Sequence, residues 1–203
     1  MTVDMDTPTT ETEFADIAII GMQCRFSGAG DVSEYWSLLT EKREGARSLD
    51  DLADAPGLVR REAVIEGIEL FDAKFFGYPP AEAAMIDPQQ RLFLECAYHV
   101  FEQAGYDTDR YEGLVGVYAG SGQSNYLIAN VLPHLGLSPS SADALPAGFA
   151  NSPGSLPGRV SYHLNLTGPS VAVSTACSTS LVAVHWRARN YWTIDVTWLW
   201  PGE

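Results

Sequence analysis

The most constraining feature of the sequence is the segment Gly168–His185, GPSVAVSTACSTSLVAVH. Val171 and Val173 alternate with small residues, as in a β-strand, and an apolar pattern with helical spacing begins at Leu181. Between the two patterns lies a run of small residues that includes Cys177. We therefore predict a strand, a tight turn and a helix, with a thiol on the turn.

A thiol at such a turn is suited to nucleophilic chemistry. The partial positive charge at the N-terminus of a helix favours the thiolate, which is the attacking form of cysteine. Small neighbours are needed because a sharp turn has no space for bulky side chains beside the attacking atom, as at the nucleophile turns of hydrolases. The alternative is that Cys177 only packs in a core, because buried free cysteines are common. The residues alone leave both interpretations open.

The cysteine count and the charge balance argue against several classes of protein. Cys24, Cys96 and Cys177 are an odd number at wide spacing, which fits neither a disulfide framework nor a CxxC metal site, so we expect a reducing, cytoplasmic location. With 12 Lys and Arg against 26 Asp and Glu, nucleic acids and anionic membranes are not expected partners. No segment approaches the roughly 20 consecutive apolar residues of a membrane span.

Two short apolar segments are predicted to be strands buried on both faces. They are DIAIIG at Asp16–Gly21 and VGVYAG at Val115–Gly120, each ended by glycine. The loop Gly120–Asn125 that follows contains GSG, but it lacks the full dinucleotide fingerprint and the Walker lysine, so no nucleotide site is predicted. Five prolines within Leu132–Gly158 argue against long regular elements there.

Two segments are predicted to be helices. Val32–Glu41 has apolar residues at helical spacing behind Asp31, a suitable N-cap. Asp87–Gly105 carries signals at both of its ends: Asp87 as N-cap, Pro88 in the first turn, Gln90 to complete a capping box and Gly105 as the left-handed C-terminal residue. Its apolar residues fall on two neighbouring faces, so most of its surface is expected to be buried.

Five stretches of the chain resemble motifs of one known family and occur in the same order as in that family. They are IAIIGMQCRF at Ile17–Phe26, FDAKFFGYPPAEAAMIDPQQRLFLECAYHVFEQAG at Phe71–Gly105, GVYAGS at Gly116–Ser121, GRVSYHLNLTGPS at Gly158–Ser170 and TACSTSLVAVH at Thr175–His185. Together they resemble the β-ketoacyl synthases, and within them the ketosynthase domains of modular polyketide synthases. The resemblance covers about Ala15 to His185.

This resemblance implies an α/β, thiolase-like fold, of which the chain holds the N-terminal part: an incomplete layered arrangement with a mixed β-sheet flanked by helices. We divide the chain into a flexible acidic leader (1–13), a β-ketoacyl synthase N-terminal domain (14–185) and a Trp-rich tail (186–203) that does not resemble the family. Residues 192–198 of the tail alternate as in a strand. We favour an exposed apolar patch that promotes aggregation over a paired strand.

The resemblance also implies a role for Cys177, as the acyl-accepting nucleophile of a condensing acyltransferase. The family takes an acyl group from phosphopantetheine on an acyl carrier protein, then joins it to a carbanion made by decarboxylating a malonyl-type extender. An acyl carrier protein and a second copy of the chain are the implied partners, and no bound cofactor or metal is implied. Ser174 departs from the family, which usually has Asp there; we expect altered packing rather than lost nucleophilicity.

The histidines do not complete such a site. The chain has four: His99, His134, His163 and His185. None lies in a segment resembling the family's histidine motifs, and His185 is about 12 Å of helical rise beyond Cys177. The prediction is therefore a fragment that carries the acyl-accepting cysteine but does not condense by itself. One alternative is a non-catalytic module that dimerises or docks carrier proteins, and the resemblance implies a dimer interface near Ser170–Ser174. Another is a cysteine thioesterase, for which the sequence offers no convincing base.

Overall fold

The computed structural model describes residues 17–48 and 61–189, and these ranges contain both helices and short strands. The helices are α1 (Val32–Thr40), α2 (Pro80–Ala83), α3 (Pro88–Ala104), α4 (Leu132–Leu135), α5 (Leu145–Ala150), α6 (Leu156–His163) and α7 (Thr179–Arg189). The strands are β1 (Arg47–Ser48), β2 (Arg61–Glu62), β3 (Val117–Ala119) and β4 (Ser170–Ala172). A single π-helical turn, Leu127–Val131, leads directly into α4.

Strand β3 lies between two layers of side chains. It pairs in parallel with β4, while β1 and β2 form a separate antiparallel pair. Successive side chains of a strand point to opposite faces. Val117 and Ala119 accordingly belong to the main core with α3 and α6, whereas Tyr118 packs with Val173 and with Ala183 of α7. The α/β prediction and the buried strand within Val115–Gly120 are confirmed.

Helix α3 is the centre of the main core. Phe93, Leu94 and Ala97 have no exposed surface, and they pack in one cluster with residues of β3 and α6. The end signals act as predicted, because Asp87 Oδ1 accepts a hydrogen bond from the Gln89 amide at 2.8 Å and Gly105 has φ 73°. The predicted helix is therefore confirmed, with its burial on two faces.

One detail of that helix is wrong: Gln90 does not complete a capping box. The backbone N–H of Asp87 instead donates to Oδ1 of the buried Asn151 at 2.7 Å. The Gln90 side chain accepts from Arg159 Nε at 2.7 Å and donates to the carbonyl of Ser152 at 3.2 Å. The cap by Asp87 remains, but the return hydrogen bond from Gln90 is absent because tertiary partners occupy the Asp87 N–H and the Gln90 side chain.

The predicted strand over Asp16–Gly21 is also wrong. Asp16 lies outside the described residues, and Ile17–Gly21 forms no strand. Ile17 and Ile19 are 58% and 79% exposed, so their side chains are not in a core. An apolar run reports the tendency to be buried, but a strand also requires a neighbouring strand with which to share hydrogen bonds. Among the described residues this segment has none.

The remaining local predictions agree with the structure. Asp31 Oδ1 accepts from the Glu34 amide at 2.8 Å and caps α1. No regular helix between Leu132 and the start of α6 exceeds the six residues of α5. Within the described ranges, no helix is both long and apolar enough to cross a membrane.

The predicted domain boundaries are not tested by these elements. The leader at 1–13 and the alternating segment at 192–198 lie outside the described residues. Helix α7 extends to Arg189, four residues past His185. The division at 185/186 stays a prediction.

Candidate active site

Cys177 lies on the turn between β4 and α7. Residues Ala176–Ser178 form a single 3-10 turn, and α7 begins immediately afterwards at Thr179. The thiol is free and its residue is exposed. The predicted strand, turn and helix are confirmed, and the structure places Cys177 at the surface rather than in the core.

The turn is fixed to the carboxyl end of the parallel strands. The Val173 amide donates to the carbonyl of Ala119 at 2.9 Å, which continues the pairing of β3 and β4 by one step. Tyr118, Val173 and Ala183 form a buried cluster that holds α7 on the sheet. In open α/β sheets, ligands bind outside the carboxyl ends of the strands. Cys177 is at that edge.

The backbone of the turn has an uncommon conformation immediately before Cys177. Ala176 has φ 51°, the left-handed region, which costs about 1–2 kcal/mol for a residue with a Cβ atom. Hydroxyl groups bond within the turn: Ser178 Oγ donates to the carbonyl of Thr175 at 2.8 Å, and Thr179 Oγ1 donates to the carbonyl of Ala176 at 2.8 Å. The sequence pattern predicts the turn but not this conformation or these hydrogen bonds.

The loop after β3 lies beside the same turn. Gly120 is buried, and a Cβ atom there would overlap the carbonyl oxygen of Val173 and Cγ2 of Thr179. Two residues later, the Gly122 amide donates to Gln89 Oε1 at 3.1 Å, which ties the loop to the start of α3. The loop that resembled a phosphate cradle therefore supports the turn that carries Cys177.

The other two cysteines have different surroundings. Cys96 lies on α3 in the main core and is 3% exposed, and burial raises the pKa of its thiol to about 12. Cys24 is half-buried, and burial together with the nearby Asp31 raises the pKa of its thiol, against a smaller opposing effect of Arg25. Both thiols are therefore held in the protonated, weakly nucleophilic form at neutral pH.

This difference predicts the order in which the three thiols react. With iodoacetamide at neutral pH, we expect Cys177 to be alkylated first, Cys24 more slowly and Cys96 only when the protein unfolds, since attack requires an accessible thiolate. Peptide mapping by mass spectrometry after increasing times measures the three rates. Alkylation of Cys96 as fast as Cys177 in the folded protein would contradict the prediction.

Two of the four histidines make specific contacts away from the turn. His99 Nδ1 lies 2.9 Å from Glu102 Oε2 on the exposed side of α3. His163 packs against Tyr78 with their ring centroids 4.5 Å apart, and burial, then the nearby Arg159, lowers its pKa. Among the described residues, no three His, Cys, Asp or Glu side chains are grouped as metal ligands.

An open groove of about 600 Å³ lies at Tyr78, Glu82, Arg159 and His163, and Cys177 is not part of its lining. The Arg159 guanidinium donates to Gln90 Oε1, Tyr78 Oη and the carbonyl of Ala150, each at 2.7 Å. Such a cation joins α3, α5 and α6, so a structural role accounts for it. Its side-chain partners are distant in the sequence, so no local pattern predicts this network.

The chain is similar to known proteins over most of its length. The family model "Beta-ketoacyl synthase, N-terminal domain" matches residues 15–193. A phenolphthiocerol/phthiocerol polyketide synthase of Mycobacterium tuberculosis (strain ATCC 25618 / H37Rv) is 45% identical over 185 residues, covering 83% of this chain and 12% of that protein. Polyketide synthase ThaG of Burkholderia thailandensis is 36% identical over 188 residues, covering 86% and 3%.

Solved ketosynthases have the same fold over the matched part. The ketosynthase from module 6 of the bacillaene synthase from Bacillus subtilis 168 superposes with a TM-score of 0.67 at 36% identity, covering 83% of this chain and 28% of that one. The module 1 ketosynthase from Bacillus amyloliquefaciens FZB42 gives 0.72 at 31% identity, covering 83% and 31%. The chain thus spans under a third of these solved domains and about an eighth or less of the two polyketide synthases named above. It belongs to the β-ketoacyl synthase family, with a thiolase-like fold that corresponds to the N-terminal part of a ketosynthase domain of modular polyketide synthases.

Proposed function

We propose that Cys177 accepts an acyl group from a phosphopantetheine thioester on an acyl carrier protein, the first half of a ketosynthase reaction. The observation that carries the proposal is the position of this exposed thiol on the turn into α7, at the carboxyl end of β3 and β4. Membership of the family supports the proposal, because the relatives named above are polyketide synthases and ketosynthases.

The proposed step exchanges one thioester for another. The Cys177 Sγ, as thiolate, attacks the carbonyl carbon of the donor thioester and forms a new C–S bond. The C–S bond to phosphopantetheine then breaks, and the released thiolate takes a proton from solvent.

Carbon–carbon bond formation by this chain alone is not part of the proposed function. Decarboxylation of an extender creates an enolate, and the family stabilises it with histidines that this sequence does not match. His185 is on α7 but is about two turns beyond the turn that holds Cys177. Condensation therefore requires groups that these 203 residues do not provide.

Mass spectrometry of the intact chain tests the proposal. After incubation with an acyl N-acetylcysteamine thioester or an acyl carrier protein, we expect the mass to increase by one acyl group, on the peptide that contains Cys177. When a malonyl donor is added, we expect no condensed product. Absence of any adduct would contradict the acyl-transfer proposal. A condensed product would contradict the expectation that this chain alone does not form the carbon–carbon bond.

The second candidate is a non-catalytic module that dimerises or docks carrier proteins. The observation that favours it is the exposure of β4, where Ser170 and Ala172 are exposed although every residue of its partner β3 is buried. An exposed strand edge is a template for pairing with a second chain. This candidate predicts no adduct on Cys177, so the same mass measurement separates the two functions.

A further inference from the structure

Two side chains bridge the turn that carries Cys177: Ser178 Oγ donates to the carbonyl of Thr175, and Thr179 bonds the backbone of both Thr175 and Ala176. Thr179 Oγ1 accepts a hydrogen bond from the Thr175 amide at 3.0 Å and donates one to the carbonyl of Ala176 at 2.8 Å. These two backbone groups belong to the two residues directly before Cys177, and Thr179 lies two residues after it. The Thr179 hydroxyl therefore bonds the backbone of both residues that precede Cys177.

The backbone that this hydroxyl bonds has a conformation that requires support. Ala176 is in the left-handed region at φ 51°, which residues with a Cβ atom rarely adopt. No hydrogen bond to another described residue holds the Sγ atom itself, so the position of the sulfur follows from the backbone. Any relaxation at Ala176 therefore moves the Cys177 thiol directly.

The methyl group of Thr179 has a separate contact. A Cβ atom built on Gly120 would overlap Thr179 Cγ2, which shows how closely this methyl approaches the loop after β3. The hydroxyl thus acts on the turn, whereas the methyl acts on the edge of the sheet. The two groups can be removed independently by substitution.

We propose that Thr179 is a positioning residue, whose hydroxyl holds the backbone of Thr175 and Ala176 so that the Cys177 Sγ points towards an incoming thioester. This inference rests on the proposed function, because it assumes that the reactivity of Cys177 is used. The hydroxyl itself does not touch the substrate. Its effect is to limit the orientations of the sulfur, and a misplacement on the scale of 1 Å is enough to slow a reaction strongly.

The wild type and three variants at position 179 distinguish the effect of the hydroxyl from that of the methyl group. Thr179→Val keeps the branched shape without the hydroxyl, Thr179→Ser keeps the hydroxyl without the methyl, and Thr179→Ala removes both. Acylation of Cys177 by an N-acetylcysteamine thioester is expected to slow about tenfold in Thr179→Val and Thr179→Ala, and to stay within about twofold of the wild type in Thr179→Ser. Alkylation of Cys177 by iodoacetamide, followed on its own peptide, is expected to show the same order.

A matched control is Thr40→Val in α1. Thr40 Oγ1 also bonds backbone carbonyls, those of Trp36 and Ser37 at 3.0 and 3.1 Å, and it is exposed. This variant loses the same chemical group outside the site and is expected to leave both rates of Cys177 unchanged. Circular dichroism establishes that each variant is folded before rates are compared.

The outcomes distinguish this inference from the proposed function. If Cys177 is alkylated in the expected order across the wild type and the three variants but is never acylated, the positioning role stands and the acyl-transfer proposal fails. The positioning role is wrong if Cys177 is alkylated equally fast in the wild type and Thr179→Val, or equally fast in Thr179→Ser and Thr179→Ala. This holds whether or not acylation occurs. If one pair of variants does not fold, the other pair still differs only in the hydroxyl and decides the question.

Discussion

Replacing Cys177 with alanine is expected to abolish acyl loading of the chain. The wild type is expected to take up about one acyl group per chain from an N-acetylcysteamine thioester, and Cys177→Ala none, because covalent transfer requires the sulfur. The residue is exposed, so its substitution is expected to change the free energy of unfolding by no more than about 0.5 kcal/mol. Intact-mass spectra and thermal melting curves of the two proteins measure both quantities.

The matched control for this substitution is Cys24→Ala. Cys24 is half-buried, with a raised pKa, so its removal is expected to leave acyl loading unchanged. Loading that persists in Cys177→Ala at the wild-type level would show that another group accepts the acyl chain. That result would withdraw the assignment of acyl transfer to the turn before α7.

Much of the fold follows from signals that are local in the sequence. Helix α3 has a cap, a proline and a terminal glycine within its own ends, so its bounds could be predicted from Asp87, Pro88 and Gly105 alone. The turn with Cys177 was predictable for the same reason, because a strand pattern and a helix pattern meet there within a few residues. In both cases the residues that decide the structure are neighbours along the chain.

The errors concern groups whose partners are distant in the sequence. Gln90 has the right spacing for a capping box, but its actual partner is Arg159, 69 residues away. The segment Ile17–Gly21 has the composition of a buried strand, yet the described residues pair no strand with it. Composition and spacing do not encode which distant donor or strand is adjacent, so these features required the structure.

The part of the site that sequence reasoning missed depends on backbone dihedral angles. Hydroxyl residues are frequent throughout the chain, and nothing in the letters STACST distinguishes Thr179 from Ser178 or Thr175. Only the left-handed conformation of Ala176 brings its carbonyl and the Thr175 amide to the same hydroxyl oxygen. The position of the candidate nucleophile on a turn was therefore predictable, while the hydrogen bonds that support the turn were not.

Substituting Gly120 with alanine is expected to destabilise the fold and to displace the candidate nucleophile together. The added methyl would overlap the Val173 carbonyl and Thr179 Cγ2. The chain cannot move away freely, because the preceding residue, Ala119, accepts the hydrogen bond from the Val173 amide. Overpacking of this kind is expected to lower the free energy of unfolding by about 3 kcal/mol, measured by urea titration.

Gly122→Ala provides the matched control within the same loop. A Cβ atom there would be 3.6 Å from Gln89 Oε1, an ordinary van der Waals contact, so a change of less than about 1 kcal/mol is expected. Because Thr179 also holds the turn, Gly120→Ala is expected to slow the acylation of Cys177 even under conditions where the variant is fully folded. A Gly120→Ala protein as stable and as reactive as Gly122→Ala would show that the loop after β3 does not support the turn, and the sulfur would then owe its position to α7 alone.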